Sequence, residues 1–140
     1  MTVRDDDMQL LMQFENLDLP PEQFGHREHL RLAWTMLMRW PLHRAMDRLV
    51  RGLKRFVSHH GAADRYHETI TLFYLFEIDR RLAEQGKAET WHRFLDANPD
   101  LAGPHRDFLR RHYPADVLQS DVAREHFVPP ARTSSTASRH

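Results

Sequence analysis

Imidazoles and carboxylates are concentrated in two short stretches of this chain, at positions where helices are expected to begin. Residues 24–30 read Phe-Gly-His-Arg-Glu-His-Leu, and residues 66–71 read Tyr-His-Glu-Thr-Ile-Thr. Two further histidines, His59 and His60, end an apolar-patterned run. Imidazole and carboxylate groups hold catalytic metal ions and transfer protons near neutral pH. The pattern therefore predicts one polar site, provided that the fold brings these stretches together.

A site for a divalent metal ion is the first interpretation of these residues. The candidate ligands are His26, His29, His60 and His67. Three histidines, or two with a carboxylate, are enough to hold zinc, iron or manganese with open coordination positions. The positive end of a helix dipole keeps an imidazole neutral and able to bind. On this interpretation the protein is a small enzyme whose metal ion activates water or a substrate oxygen, with Glu68 as the proton-transfer group.

The same stretches are also typical of an acid/base site without a metal ion. The candidate catalytic residues are Tyr66, His67 and Glu68, and the candidate substrate-binding residues are Arg65, Thr69 and Thr71. Backbone amides at helix starts, together with an arginine, can hold a carboxylate or phosphate while neighbouring groups shuttle protons. The protein is then an isomerase, cyclase, lyase or hydrolase, or a binding protein for a small anionic or polar molecule. A structural or interaction role is the third alternative, since histidines also cap helices and satisfy buried polar groups.

The composition limits the partners and the kinds of chemistry. Twenty Lys and Arg residues balance twenty Asp and Glu residues, so no net field favours nucleic acid or an anionic membrane as a partner. The chain has no cysteine, which leaves only nitrogen and oxygen ligands for a metal ion. Three consecutive aspartates, residues 5–7, stand where a signal peptide would be basic and then apolar. A cytoplasmic location is expected, with a small-molecule substrate as the partner.

Helical periodicity recurs along the chain, and no stretch alternates apolar and polar residues as a strand would. The fold class is therefore predicted to be all-α, a single-domain helical bundle of about four main helices followed by short C-terminal helices. The main helices are predicted at residues 5–15, 26–40, 42–60 and 65–85, and the short ones at 90–97, 105–112 and 121–127. A length of 140 residues suits one domain, predicted over residues 1–130, with a disordered tail over 131–140. Asp64 and Ser120 are the predicted N-terminal caps of the fourth and last helices.

The connections between the second, third and fourth helices are short, at Pro41 and at residues 61–63. Short connections make neighbouring helices antiparallel, so the starts of the second and fourth helices are expected to meet the end of the third. This topology brings the candidate site residues together at one end of the bundle. Five histidines outside that end are interpreted as solvated: His43, His92, His105, His112 and His126. An apolar face on the first helix would support a homodimer.

Three blocks of the sequence carry a resemblance to a family. They are Phe-Gly-His-Arg-Glu-His-Leu-Arg-Leu-Ala-Trp at 24–34, Ser-His-His-Gly at 58–61 and Tyr-His-Glu-Thr-Ile-Thr at 66–71. Together they resemble an uncharacterised family of small all-helical bacterial proteins, and the resemblance continues through Asn98-Pro99 and the segment 121–130. The resemblance implies that the histidine block and the Tyr-His-Glu-Thr block belong together. In architecture only, the chain is also similar to the DinB/YfiT helical bundles, in which three histidines bind a divalent metal ion.

Overall fold

The computed structural model describes residues 3–87 and 90–131, which form nine α-helices and no β-strand. The helices are α1 (Asp5–Glu15), α2 (His26–Arg39), α3 (Leu42–His59), α4 (Glu68–Gln85), α5 (Trp91–Ala97), α6 (Pro99–Ala102), α7 (His105–Arg110), α8 (Ala115–Leu118) and α9 (Asp121–Glu125). The predicted all-α class is confirmed. Within the described ranges, no helix combines the length and the apolar character needed to cross a membrane. The predicted tail, apart from Ala131, lies outside the described residues.

The start of α4 differs from the prediction. Residues 63–65 form a separate 3-10 turn, so α4 begins at Glu68 instead of residue 65. The predicted cap Asp64 is therefore wrong. The N-cap is His67, whose Nδ1 accepts a hydrogen bond from the Ile70 N–H at 3.2 Å. The imidazole thus satisfies one of the amides that a helix start leaves without a partner.

The short C-terminal helices are partly as predicted. Ser120 caps α9, because its hydroxyl oxygen accepts a hydrogen bond from the Ala123 N–H at 3.1 Å. The helices α6 and α8 were missed, since four residues are too few to show helical periodicity. Helix α7 ends at Arg110, two residues before its predicted end.

Helix α2 lies at the centre of the bundle, in contact with α1, α3, α4, α5 and α6. Its middle is apolar around almost the whole circumference, and its buried side chains are Leu30, Leu32, Ala33, Trp34, Thr35, Met36 and Leu37. Burial of each large apolar side chain contributes about 1.5–3 kcal/mol. The core therefore fixes the orientation of the first turn of α2, which carries His26 and His29.

Helix α1 is joined to α2 by a buried ion pair. The Asp7 side chain is 1% exposed, and its Oδ1 accepts a hydrogen bond from Arg31 Nε at 2.6 Å, while its Oδ2 accepts one from the Arg4 N–H at 2.8 Å. This pairing offsets the desolvation of the carboxylate. On its outer face α1 leaves Met12 56% exposed, where the homodimer contact stays a prediction.

The C-terminal segment is fastened to α4 by polar contacts. Arg81 forms two bonds of 2.7 Å to the Asp100 carboxylate, which tie α6 to α4. Such bidentate charge-assisted pairs are the strong ones. Thr69 Oγ1 donates to the His126 carbonyl oxygen at 2.9 Å and accepts from the Val128 N–H at 3.0 Å. These contacts hold α6 and the residues after α9 against α4. Helix α7, between them in the sequence, lies at the end where α2 and α4 begin.

Candidate functional site

A cavity of about 420 Å³ lies at one end of the bundle, between the starts of α2, α4 and α7 and the second half of α3. Its apolar walls are Phe24, Leu53, Val57 and Ile70. Its polar walls are His26, His29, Arg65, Tyr66, His67, Thr71, Tyr74 and His105. The helix ends therefore meet, as their short connections predicted. Cavities with a mostly apolar surface and a few convergent polar groups are the usual places for small-molecule sites.

His26 and His105 pack against each other in the wall of this cavity. Their ring centroids are 4.8 Å apart, and the His26 ring is 4.9 Å from the Tyr74 ring. His26 Nε2 donates to the Leu101 carbonyl oxygen at 2.9 Å. Because a carbonyl oxygen only accepts, Nε2 carries the hydrogen and Nδ1 keeps the lone pair. His105 Nδ1 is hydrogen-bonded to Tyr74 Oη at 3.2 Å, and its Nε2 is left for a ligand.

One ring nitrogen of His29 is shielded from water. Its ring stacks on Phe24 with centroids 5.7 Å apart, and its Nε2 is buried without a hydrogen-bond partner among the described residues. Burial, followed by the nearby His26 and His105, lowers the pKa of His29 to about 4. Burial also lowers the pKa values of His26 and His105. All three imidazoles are therefore neutral at pH 7, where they can accept or donate a hydrogen bond.

Tyr66 and Glu68 form the shortest hydrogen bond at the cavity. Tyr66 Oη donates to Glu68 Oε1 at 2.5 Å. Burial, and then the adjacent Glu68 carboxylate, raises the pKa of Tyr66 above its usual range, so the phenol stays protonated. On the outer side of the ring, Lys54 Nζ lies 5.2 Å from the ring centroid. The carboxylate thus orients the phenol, and a phenol held in this way can pass its proton to Glu68.

His67 lines the cavity, but both of its ring nitrogens are engaged within the chain. Nδ1 accepts from the Ile70 N–H, and Nε2 donates to the Leu118 carbonyl oxygen at 2.7 Å. A neutral imidazole has one lone pair and one N–H. His67 therefore has no free lone pair for a metal ion or a proton while these two hydrogen bonds are intact.

The other predicted site residues are divided between the cavity and its surroundings. Arg65 and Thr71 line the cavity, as does Tyr66. Thr69 faces away from it and binds the C-terminal segment through its hydroxyl. His60 does not line the cavity: its ring packs edge-on against Phe56 at 4.6 Å, with its Nε2 buried and without a partner among the described residues.

Two residues of the cavity were missed as site residues. Tyr74 follows His67 by seven positions, which is two helical turns, so helical phase places both on one face, but Tyr74 was not assigned to the predicted site. His105 was interpreted as solvated, but it lines the cavity. Its position depends on the orientation of α7, and six residues of helix carry too little periodicity to predict that.

The chemistry of the cavity follows from its donor set. Within residues 3–87 and 90–131, no three or more His, Asp or Glu side chains are grouped so that they could hold a metal ion. Of the four predicted ligands, His26, His29 and His67 line the cavity. The buried Nε2 of His29 has no hydrogen-bond partner among the described residues, and the lone pair of His26 is on Nδ1. The only charged side chain among the described residues lining the cavity is Arg65. This donor set suits a polar or anionic organic molecule held by neutral imidazoles and phenols.

Comparison of the chain with protein-family profiles, with curated proteins and with solved structures yields no match.

Proposed function

We propose that the cavity binds a small polar or anionic molecule and moves a proton on it without a metal ion, as an isomerase, cyclase or lyase does. The observation that carries this proposal is the 2.5 Å hydrogen bond from Tyr66 Oη to Glu68 Oε1 at the cavity wall. It joins a phenol that a ligand can reach to a carboxylate that can take up a proton.

The direction of this hydrogen bond determines what Tyr66 offers to a ligand. Because the phenol hydrogen points to Glu68, Tyr66 Oη can only accept from the ligand, and the nearby Thr71 hydroxyl competes for its lone pairs. A proton leaving the ligand moves to Tyr66 Oη as the proton of Tyr66 moves to Glu68 Oε1. The reverse transfer returns the proton and restores the pair. Glu68 thereby acts as the base although Tyr66 stands between it and the cavity.

The neutral imidazoles can supply the hydrogen-bond donors that stabilise negative charge on the ligand. Removal of a proton next to a carbonyl group leaves negative charge on the carbonyl oxygen, and preorganised N–H groups stabilise such charge. In the tautomer in which Tyr74 donates to His105 Nδ1, the Nε2 of His105 carries the hydrogen and can donate to that oxygen. Return of the proton to a different atom gives an isomer, and departure of a neighbouring group gives an elimination product.

Metabolite profiling tests this proposal. The purified protein is incubated with a cell metabolite extract, and compounds that appear or disappear are identified by chromatography and mass spectrometry. Tyr66→Phe and Glu68→Gln are expected to slow the conversion at least 100-fold, since general acid/base groups contribute about 10²–10⁴ in rate. Tyr113→Phe is the matched control, because Tyr113 lies outside the cavity and donates to Val128. Conversion at the wild-type rate by Tyr66→Phe would contradict the proposal.

A divalent metal ion is the second candidate, favoured by one observation. His29 Nε2 is buried without a hydrogen-bond partner among the described residues, so its lone pair could bind zinc, iron or manganese, although no three His, Asp or Glu side chains of the described ranges are grouped as a metal site. Such a site would activate water for hydrolysis. Elemental analysis of tag-free protein is the test. Near-stoichiometric metal that disappears in His29→Ala but not in His92→Ala, a change at an exposed histidine, supports this candidate over the first.

A further inference from the structure

A second cavity, of about 270 Å³, adjoins the first. It lies between α7 and α8, and the two cavities share Ile70 and His105 as walls. Its apolar lining comes from Leu109, Ala115 and Leu118. The shared walls place the second cavity directly behind His105, the imidazole whose Nε2 is free for a ligand in the larger cavity.

Two arginines line this second cavity. Arg106 and Arg110 are four residues apart on α7, so they lie side by side on one helix face. Neither forms an ion pair with a described residue, although Arg31, Arg48 and Arg81 each pair with a carboxylate. Like charges at this spacing repel each other. An anion between the two guanidinium groups would remove that repulsion.

The charged side chains that line the two cavities are all basic among the described residues. Among the described residues, the lining of the two cavities contains Arg65, Arg106 and Arg110 and no Asp or Glu. The chain as a whole has equal numbers of acidic and basic residues, so the excess of positive charge is specific to the cavities. Arginine recognises carboxylate and phosphate groups through two parallel hydrogen bonds. Gln119 adds an amide to the same lining.

We infer that the two cavities hold one ligand, whose carboxylate or phosphate group lies between Arg106 and Arg110 and whose reacting part lies in the larger cavity. The inference rests on the proposed function, to which it adds the charge of the substrate and the place where that charge is bound. Ile70, which both cavities share, and Leu109 and Leu118 in the second cavity can accommodate a short apolar portion of the ligand. The substrate class is thus a small organic acid or phosphate ester.

Titration with simple anions tests the inference without any need to know the substrate. ¹H–¹⁵N correlation spectra of the full-length protein are recorded at pH 7.5 with increasing inorganic phosphate or benzoate, at an ionic strength kept constant with sodium chloride. We expect saturable shifts of the backbone amides of α7 and α8. Saturation by phosphate alone indicates a phosphate ester, and saturation by benzoate alone indicates a carboxylic acid. Either result supports the inference.

Variants determine whether the arginines bind the anion. In Arg106→Gln/Arg110→Gln the affinity for the probe is expected to fall at least tenfold, since two charge-assisted hydrogen-bond donors are lost. The matched control is Arg111→Gln, which removes an exposed arginine that lines neither cavity. Its affinity should equal that of the wild type. The exposed positions of Arg106 and Arg110 make both substitutions compatible with folding.

Two results would overturn the inference: shifts that never saturate in the wild type, or equal affinity in the double variant and the wild type. The titration measures binding alone, so its outcome is independent of whether Tyr66 and Glu68 transfer a proton. If Tyr66→Phe and Glu68→Gln leave turnover intact while the arginine variants lose the anion, the proposed reaction fails and the anion site stands.

Discussion

His67 Nε2 donates a hydrogen bond to the carbonyl oxygen of Leu118, 51 residues further along the chain and 2.7 Å away. The Nδ1 of the same ring accepts from the Ile70 N–H at the start of α4. One imidazole therefore caps α4 and ties α8 to it. Leu118 belongs to the lining of the second cavity, so His67 positions part of the anion site while its own nitrogens are occupied.

Substitution of His67 should reduce the stability of the fold through the loss of two hydrogen bonds, whose contributions two variants can separate. His67→Ala loses both the cap and the bond to Leu118, and we expect the free energy of unfolding to fall by about 1–3 kcal/mol. His67→Asn keeps a good capping side chain but is too short to reach Leu118, so its loss should be smaller. Urea denaturation followed by circular dichroism measures both values. Wild-type stability in His67→Ala would show that the two hydrogen bonds contribute nothing in solution.

Thr69 should stabilise the fold by holding the C-terminal segment against α4. Its side chain is fully buried, and Thr69→Val removes the partner of both the His126 carbonyl and the Val128 N–H. We expect a loss of about 1–3 kcal/mol and faster amide hydrogen exchange at Val128.

The control for Thr69→Val is Thr35→Val. Thr35 is equally buried, but its hydroxyl has no hydrogen-bond partner among the described residues. Removal of that hydroxyl should be neutral or stabilising, because no partner is left unsatisfied. Equal losses in the two variants would mean that the bonds of Thr69 to the C-terminal segment are not the cause.

Gly52 is a position in α3 where alanine should destabilise the protein. Alanine is normally preferred by about 1 kcal/mol inside a helix, but a Cβ at Gly52 would lie 2.5 Å from Cε2 and 2.9 Å from Cζ of Phe14. The Phe14 ring is fully buried and packs on Phe24 and Phe56, so it has little room to move. Thermal unfolding should show a net loss of about 1–3 kcal/mol for Gly52→Ala.

Gly103→Ala is the matched control for Gly52→Ala. A Cβ at Gly103 would have its nearest neighbour at 3.6 Å, and the φ angle of −74° is ordinary for alanine. Its stability should stay within about 0.5 kcal/mol of the wild type. If Gly52→Ala is as stable as Gly103→Ala, the contact with Phe14 is looser than the distances imply.

The stability of the protein should decrease as the pH falls from 7.5 to 5. The pKa of His29 is lowered by burial from 6.5 to about 4 in the folded chain, so below pH 6.5 the unfolded chain binds the extra proton first. That difference favours unfolding by about 2 kcal/mol at pH 5. The lowered pKa values of His26 and His105 act in the same direction. The full contribution of His29 is present above its unfolded pKa and is lost as the pH approaches 4.

Urea denaturation at pH 7.5 and pH 5 measures this effect. His29→Gln should show a smaller difference between the two pH values than the wild type. His92→Gln, at an exposed position on α5, should behave as the wild type does. The same pH dependence in His29→Gln as in the wild type would assign the effect to other groups.

The sequence by itself determined the main helices and which of their ends meet. Apolar residues in steps of three and four predicted each main helix, and short connections at Pro41 and at residues 61–63 brought the starts of α2 and α4 together. Helical phase also indicated that Thr69 does not share the face of His67. On a helix of 3.6 residues per turn, Thr71 lies on the face of His67, whereas Thr69 is rotated by about 200° from it. Only Thr71 of these two threonines lines the cavity.

Only the tertiary structure decided which atoms remain free for chemistry. The lone pair of His67 is occupied through the Ile70 amide, and its N–H is occupied through Leu118, which no local pattern connects to it. The positions of His105 and Arg106 depend on how α7 packs. That helix is only six residues long, so its periodicity does not predict its packing. The physical reason is that periodicity determines the face a helix buries, whereas hydrogen bonds and packing between distant segments determine what each side chain meets there.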